Sequence, residues 1–120
     1  MKILLIEDER MLRESLVDLL EIDDHEVMFA ENGNKGMKIL QEFEPDIIIT
    51  DVLMPEMDGY EVLMEVSNNP TYRHVPMIVI SALVASDQIK MAKVFGASKY
   101  LTKPFSSQEL RTAIAEVTQK

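Results

Sequence analysis

The sequence predicts an α/β fold: a five-stranded parallel sheet, doubly wound, with helices between the strands. Three observations carry this. Five short apolar runs recur along 120 residues, with helix-like segments between them. Two of the runs, residues 3–6 and 47–49, are unbroken and rich in β-branched side chains, as in strands buried on both faces. Strands that alternate with helices imply right-handed crossovers, the connection that parallel sheets use.

The elements follow in order. After the first run, Leu12, Leu16, Leu19 and Leu20 fall on one helical face. Asp23-Asp24 signals a loop before the second run, residues 27–30. Asn32-Gly33 marks the next turn, and Gly36, Leu40 and Phe43 share a second helical face. Pro45 leads into the third run, residues 47–50, where a missing N–H does little harm. Pro55 signals a loop, and Val62, Leu63 and Val66 predict a third helix. Asn68-Asn69-Pro70 closes that segment, and Pro76 leads into the fourth run, residues 77–80. Residues 87–95 read as a helix with a ragged stripe of Ile89, Met91 and Val94, ended by Gly96. Residues 99–102 form the fifth run, and Leu110, Ala113, Ile114 and Val117 make the clearest amphipathic set. Met11, Met28, Met37, Met54, Met57, Met64, Met77 and Met91 read mainly as core or near-core fillers, with Met11 also placed to touch a partner.

Composition narrows the function. Hydrophobic residues make up 47% and charged residues 28%, ordinary values for a globular protein, and the expected organisation is one domain over residues 1–120. The chain has no cysteine, which excludes disulfides, thiolate metal sites and thiol catalysis. A formal net charge of −9 opposes binding to nucleic acid or to anionic lipid, so neither is expected as a direct partner. The apolar stretch after Lys2 meets Glu7 and Asp8 after four residues, too short for a signal-peptide core. No run approaches the ~20 apolar residues of a membrane span, and the expected location is the cytoplasm.

The carboxyl ends of strands are where open α/β sheets bind ligands. Glu7 and Asp8 follow the first run, Asp51 the third, Ser81 the fourth and Lys103 the fifth. Two ionised carboxylates ~4 Å apart repel by ~4 kcal/mol at an effective dielectric near 20, so a cluster of three calls for a cation. Mg²⁺ suits oxygen ligands in a site that keeps waters and also meets a phosphate. Lys103 adds a positive point charge and Ser81 a hydroxyl. These are the parts of a phosphoryl-transfer site, with Asp51 the best placed nucleophile and Glu7 and Asp8 better suited to holding metal.

The chain resembles the receiver domains of two-component response regulators over nearly its whole length. The residues carrying the resemblance are Leu5-Ile6-Glu7-Asp8-Glu9 and the run from Asp46 through Thr50-Asp51-Val52-Leu53-Met54-Pro55-Glu56-Met57-Asp58-Gly59. Pro76-Met77-Ile78-Val79-Ile80-Ser81-Ala82, Gly96-Ala97 and Tyr100-Leu101-Thr102-Lys103-Pro104-Phe105 complete it. The resemblance implies a flavodoxin-like sheet in the order 2-1-3-4-5 with five helices, the order shared by chemotaxis receivers. It implies a phosphoacceptor signalling domain of a phosphorelay, not a turnover enzyme beyond its own Mg²⁺-dependent phosphorylation and dephosphorylation.

In that picture Asp51 takes a phosphoryl group from a histidine kinase or histidine phosphotransfer protein. Asp8 binds Mg²⁺ directly, Glu7 through water, and Asp51 and the Leu53 backbone carbonyl are further ligands. Lys103 contacts the phosphoryl oxygens, and the Lys103–Pro104 bond is cis. Ser81 and Tyr100 couple the site to the face of helix four, strand five and helix five, which meets a downstream target or a fused output domain. Helix one, with Met11, Leu12 and Ser15, is the docking face for the donor. The sequence departs from many DNA-binding relatives at Ser98 and Lys99, where those carry two aspartates and use the face to dimerise.

Each residue alone has a plainer reading. Glu7-Asp8-Glu9-Arg10 suits a helix start, Ser81 a helix N-cap, Asp51 a solvated acid and Tyr100 a half-buried strand aromatic. Three rival functions compete with the relay. An aspartyl-phosphate hydrolase needs its nucleophile after strand one with a second Asp two residues on, but here Leu53 stands two after Asp51. A flavin carrier needs a phosphate loop where Glu7, Asp8 and Glu9 would repel the ligand. The third is a receiver-like binding module that works without phosphorylation.

Overall fold

The computed structural model describes residues 1–54 and 58–119. Five strands alternate with five helices: β1 (Lys2–Ile6), α1 (Arg10–Ile22), β2 (Glu26–Ala30), α2 (Gly33–Phe43), β3 (Ile47–Asp51), α3 (Gly59–Ser67), β4 (Met77–Ser81), α4 (Ser86–Val94), β5 (Lys99–Thr102) and α5 (Ser107–Thr118). All pairings are parallel and the strand order is β2-β1-β3-β4-β5. The α/β reading and the strand order both stand. The loop signal at Pro55 and the methionine at 57 lie outside the described residues.

Strand alternation sorts the core into two layers. Ile3, Leu5, Ile47, Ile49, Ile78 and Ile80 point to one face, where Leu16 and Leu20 of α1 and Leu110 and Ile114 of α5 cover them. Leu4, Ile6, Ile48 and Val79 point to the other, under Leu40 and Phe43 of α2 and Val62, Leu63 and Val66 of α3. The period of two in the strands thus meets the 3.6-residue period of the helices. β3 and β4 are buried along their whole lengths, which accounts for their unbroken apolar runs.

Several boundaries and burial assignments differ from the sequence reading. Asp51 and Ser81 are the last residues of their strands rather than the first residues beyond them, because both still pair in register, Asp51 with Ile80 and Ser81 with Thr102. Ser81 is not a helix cap either; Ala85 holds the N-cap position of α4. The methionines are mostly not core. Met77 is buried and Met37 and Met54 pack against the core, but Met11, Met28, Met64 and Met91 are exposed. Met28 lies on β2, an edge strand in which only Ala30 is buried. The stripe expected on α4 does not face inward: Met91 and Val94 are exposed, Ile89 is half-buried, and Ala92 is the buried residue.

Two glycines set local geometry. A Cβ at Gly59 would overlap the Asp51 carbonyl oxygen and Val52 Cα, so α3 can start hard against the end of β3. Gly96 closes α4 with φ of 121°, a backbone region that side chains disfavour. Among the described residues no helix is long and apolar enough to cross a membrane.

Candidate functional site

The carboxyl edge of β1 and β3 gathers three acids. Glu7 is fully buried, Asp8 is exposed on the same turn, and Asp51 is buried at the tip of β3. One carboxylate oxygen from each lies within 4.8 Å of the others. Lys103, from the segment after β5, bridges two of them: its Nζ donates to Asp51 Oδ2 at 2.6 Å and to Glu7 Oε1 at 2.9 Å.

Backbone amides fix the remaining oxygens. Asp51 Oδ1 accepts from Val52 N at 2.6 Å and Leu53 N at 3.1 Å. Glu7 Oε2 accepts from Glu9 N at 3.0 Å. Asp51 therefore cannot swing freely, since each oxygen already has a partner. Burial pushes the Glu7 carboxyl above its ordinary range, opposed by the Glu9 amide and Lys103. For Lys103 burial is the largest single influence and lowers its basicity. The hydrogen bonds and charges of Asp51 and Glu7 together outweigh it, so the ammonium is held above its ordinary value. One ammonium against three carboxylates leaves the cluster short of positive charge. Among the described residues the Asp8 carboxylate accepts no hydrogen bond. Hard oxygen donors with an unmatched negative charge fit a divalent cation.

Ser81 and Tyr100 meet at Leu83. Leu83 donates its N–H to Ser81 Oγ at 3.1 Å, and its carbonyl accepts from the Tyr100 hydroxyl at 2.8 Å. Tyr100 thus lies inward and half-buried, packed against the core, but does not touch the acids. Ser81 is fully buried, and its carbonyl accepts from Lys103 N at 2.7 Å, so Ser81 and Lys103 share a backbone contact. The Lys103–Pro104 peptide is cis. Leu53 supplies an amide to Asp51 while its side chain is exposed. Thr50, whose hydroxyl donates to the Asp51 carbonyl at 2.9 Å, had no distinguishing signal in the sequence beyond its place before Asp51.

Residues 3–115 match the response regulator receiver domain family along almost the whole chain. The chain belongs to that family. This receiver domain is 31% identical over 114 residues to Protein PilG of Pseudomonas aeruginosa, covering 95% of this chain and 84% of PilG. It is 35% identical over 114 residues to the response regulator protein FleR of the same species, covering 95% of this chain but 24% of FleR. The solved structure of the Vibrio cholerae chemotaxis protein CheY4 superposes with a TM-score of 0.91 at 28% identity, over 97% of each chain. Receiver domains are signalling domains of two-component systems that take phosphoryl groups from histidine kinases, and the acidic cluster of Glu7, Asp8 and Asp51 fits their phosphorylation site.

Proposed function

We propose that residues 1–120 form one receiver domain that accepts a phosphoryl group on Asp51, from a histidine kinase or a histidine phosphotransfer protein. The observation that carries this is Lys103 bridging Asp51 and Glu7 beside the exposed Asp8. In the step, a carboxylate oxygen of Asp51 attacks phosphorus as the bond from phosphorus to the donor nitrogen breaks. An acyl phosphate forms and the donor imidazole leaves with the electron pair. Asp8, Glu7, Asp51 and the Leu53 carbonyl would hold Mg²⁺, which supplies charge neutralisation for the phosphoryl oxygens. Lys103 stays within reach of those oxygens and Ser81 offers a hydroxyl.

The switch follows from the same contacts. A phosphoryl group adds charge and three acceptor oxygens. Drawing Ser81 toward them competes with its bond from the Leu83 amide, and Tyr100 holds the carbonyl of that same residue. Charge-assisted bonds are worth about 1.5–3 kcal/mol and a hydroxyl bond about 1, enough to supply much of the ~5.5 kcal/mol that a full population reversal needs. The readout surface is the face of α4, β5 and α5, presented to a downstream protein or a fused output domain. Self-phosphorylation from small donors, slow loss of the phosphoryl group and a cytoplasmic location complete the reading. The groove between α1 and the segment after β5, lined by Met11, Leu12, Ser15 and Phe105, would seat the donor.

The test is labelling by acetyl phosphate with Mg²⁺, with a phosphorylated histidine kinase as a second donor. Wild type labels and Asp51→Asn does not. Met11→Ala with Leu12→Ala slows transfer from the kinase and leaves acetyl phosphate labelling intact. Equal labelling of wild type and Asp51→Asn contradicts the assignment. No labelling of either would favour a binding module that works without phosphorylation.

A further inference from the structure

Arg13 lies outside the acidic cluster and makes no contact with a carboxylate there. Its Nη1 donates to the Glu7 carbonyl at 2.9 Å and reaches the Asp8 carbonyl at 3.5 Å, the two residues that open the turn between β1 and α1. Its guanidinium carbon sits 5.7 Å from the ring centroid of Phe29, on the neighbouring edge strand β2. Its Nε is buried with no hydrogen-bond partner among the described residues.

This is a costly arrangement for a residue one turn into a surface helix. A buried unpaired donor is destabilising, and the side chain could avoid that by extending into water. Nor is it drawn in by an acid: Glu31, whose carboxyl feels the Arg13 charge, is paired with Lys35 instead. What the fold gains is a hold on two carbonyls of the turn. The Glu7 carboxylate is already fixed by Lys103 and the Glu9 amide. The Asp8 carboxylate has no protein partner among the described residues, so the backbone of the turn alone sets its direction. The half-exposed Phe29 ring lies under the guanidinium, a cation–π contact that helps to hold it there.

We infer that Arg13, braced by Phe29, is a positioning residue for the metal-binding acids and raises the affinity of the turn for a divalent cation. The inference rests on the Mg²⁺ reading above. Charge and positioning predict opposite signs here. A cation close to a cation site weakens Mg²⁺ binding by repulsion, so if charge were its whole effect, removing Arg13 would tighten binding. If Arg13 orients Asp8, removing it weakens binding.

The experiment is Mg²⁺ titration of the unphosphorylated full chain by calorimetry, with thermal unfolding run in parallel. Arg13→Ala is expected to bind Mg²⁺ about tenfold more weakly, the scale typical of groups that orient ligands. Arg13→Lys keeps one donor and recovers part of the loss. Phe29→Ala, a change at a half-exposed side chain, gives a smaller loss. At saturating Mg²⁺ the labelling rate of each variant returns toward wild type, because the change lies in affinity. Unchanged or tighter Mg²⁺ binding by folded Arg13→Ala overturns the inference. Should that variant not fold, wild-type affinity in both Arg13→Lys and Phe29→Ala overturns it instead. A wild-type chain that binds no Mg²⁺ would refute the underlying metal reading, which is a separate result.

Discussion

Helices α4 and α5 lie against opposite faces of the sheet beside β5, and they are anchored in opposite ways. α5 opens with a full capping box, Ser106 with Glu109, and buries Leu110, Ala113 and Ile114. α4 has no side-chain cap at Ala85 and buries Ala92 alone, leaving Met91 and Val94 in solvent. What holds α4 is mostly polar and comes from other elements. Tyr60 donates to Gln88 at 2.6 Å and meets Phe95 edge-on at 5.9 Å. Ser67 donates to the Phe95 carbonyl at 2.8 Å, and Tyr100 to Leu83 at 2.8 Å just before the helix.

The difference assigns roles by energy. Fully burying a side chain such as Leu110 is worth about 1.5–3 kcal/mol, and α5 carries two such residues besides its cap. A single net hydrogen bond is worth about 0.5–1.5 kcal/mol. On the proposed switch, a phosphoryl group that rearranges one or two hydrogen bonds at Ser81 would shift α4 and its entry loop rather than α5. Elements that move in switching come from the low-stability end of a structure, and α4 meets that description.

The contrast can be broken by substitution. Leu110→Ala in α5 should lose about 2–5 kcal/mol in urea denaturation, whereas Val94→Ala in α4 should change stability by less than about 0.5. Similar losses at the two sites would mean that the helices are equally anchored. A smaller effect sharpens the same point. Tyr100→Phe removes one half-buried hydrogen bond and should lower stability by about 0.5–1.5 kcal/mol. Its rate of labelling by acetyl phosphate should match wild type, because Tyr100 touches Leu83 and none of the acids. A slowed labelling rate would show that Tyr100 acts on the chemistry itself.

The legibility of the sequence divides along the same line. The buried strands announce themselves because both faces of β3 and β4 are covered, which forces unbroken apolar runs. Glu7, Asp8, Asp51 and Lys103 could be placed at one edge because a parallel sheet brings every strand's carboxyl end to the same side. The α4 region was harder to read. Its periodicity suggested a stripe of Ile89, Met91 and Val94, yet the helix rests on Ala92 and on contacts from Tyr60, Ser67 and Tyr100 that are distant in sequence. Arg13 escaped for a similar reason: within Glu9-Arg10-Met11-Leu12-Arg13 it looks like a solvated helix charge, and its carbonyl partners appear only when the turn folds back. Met28 misleads because hydrophobicity alone does not say which strand is at the edge, and Met11, Met64 and Met91 sit on helix faces turned to solvent.

Amide hydrogen exchange with and without a phosphoryl group on Asp51 tests the central claim most directly. Acetyl phosphate and Mg²⁺ should change exchange from Leu83 through α4 and leave α5 as it was, and should alter neither helix in Asp51→Asn. Equal changes in α4 and α5, or none in α4 on a chain shown to be phosphorylated, would contradict the account.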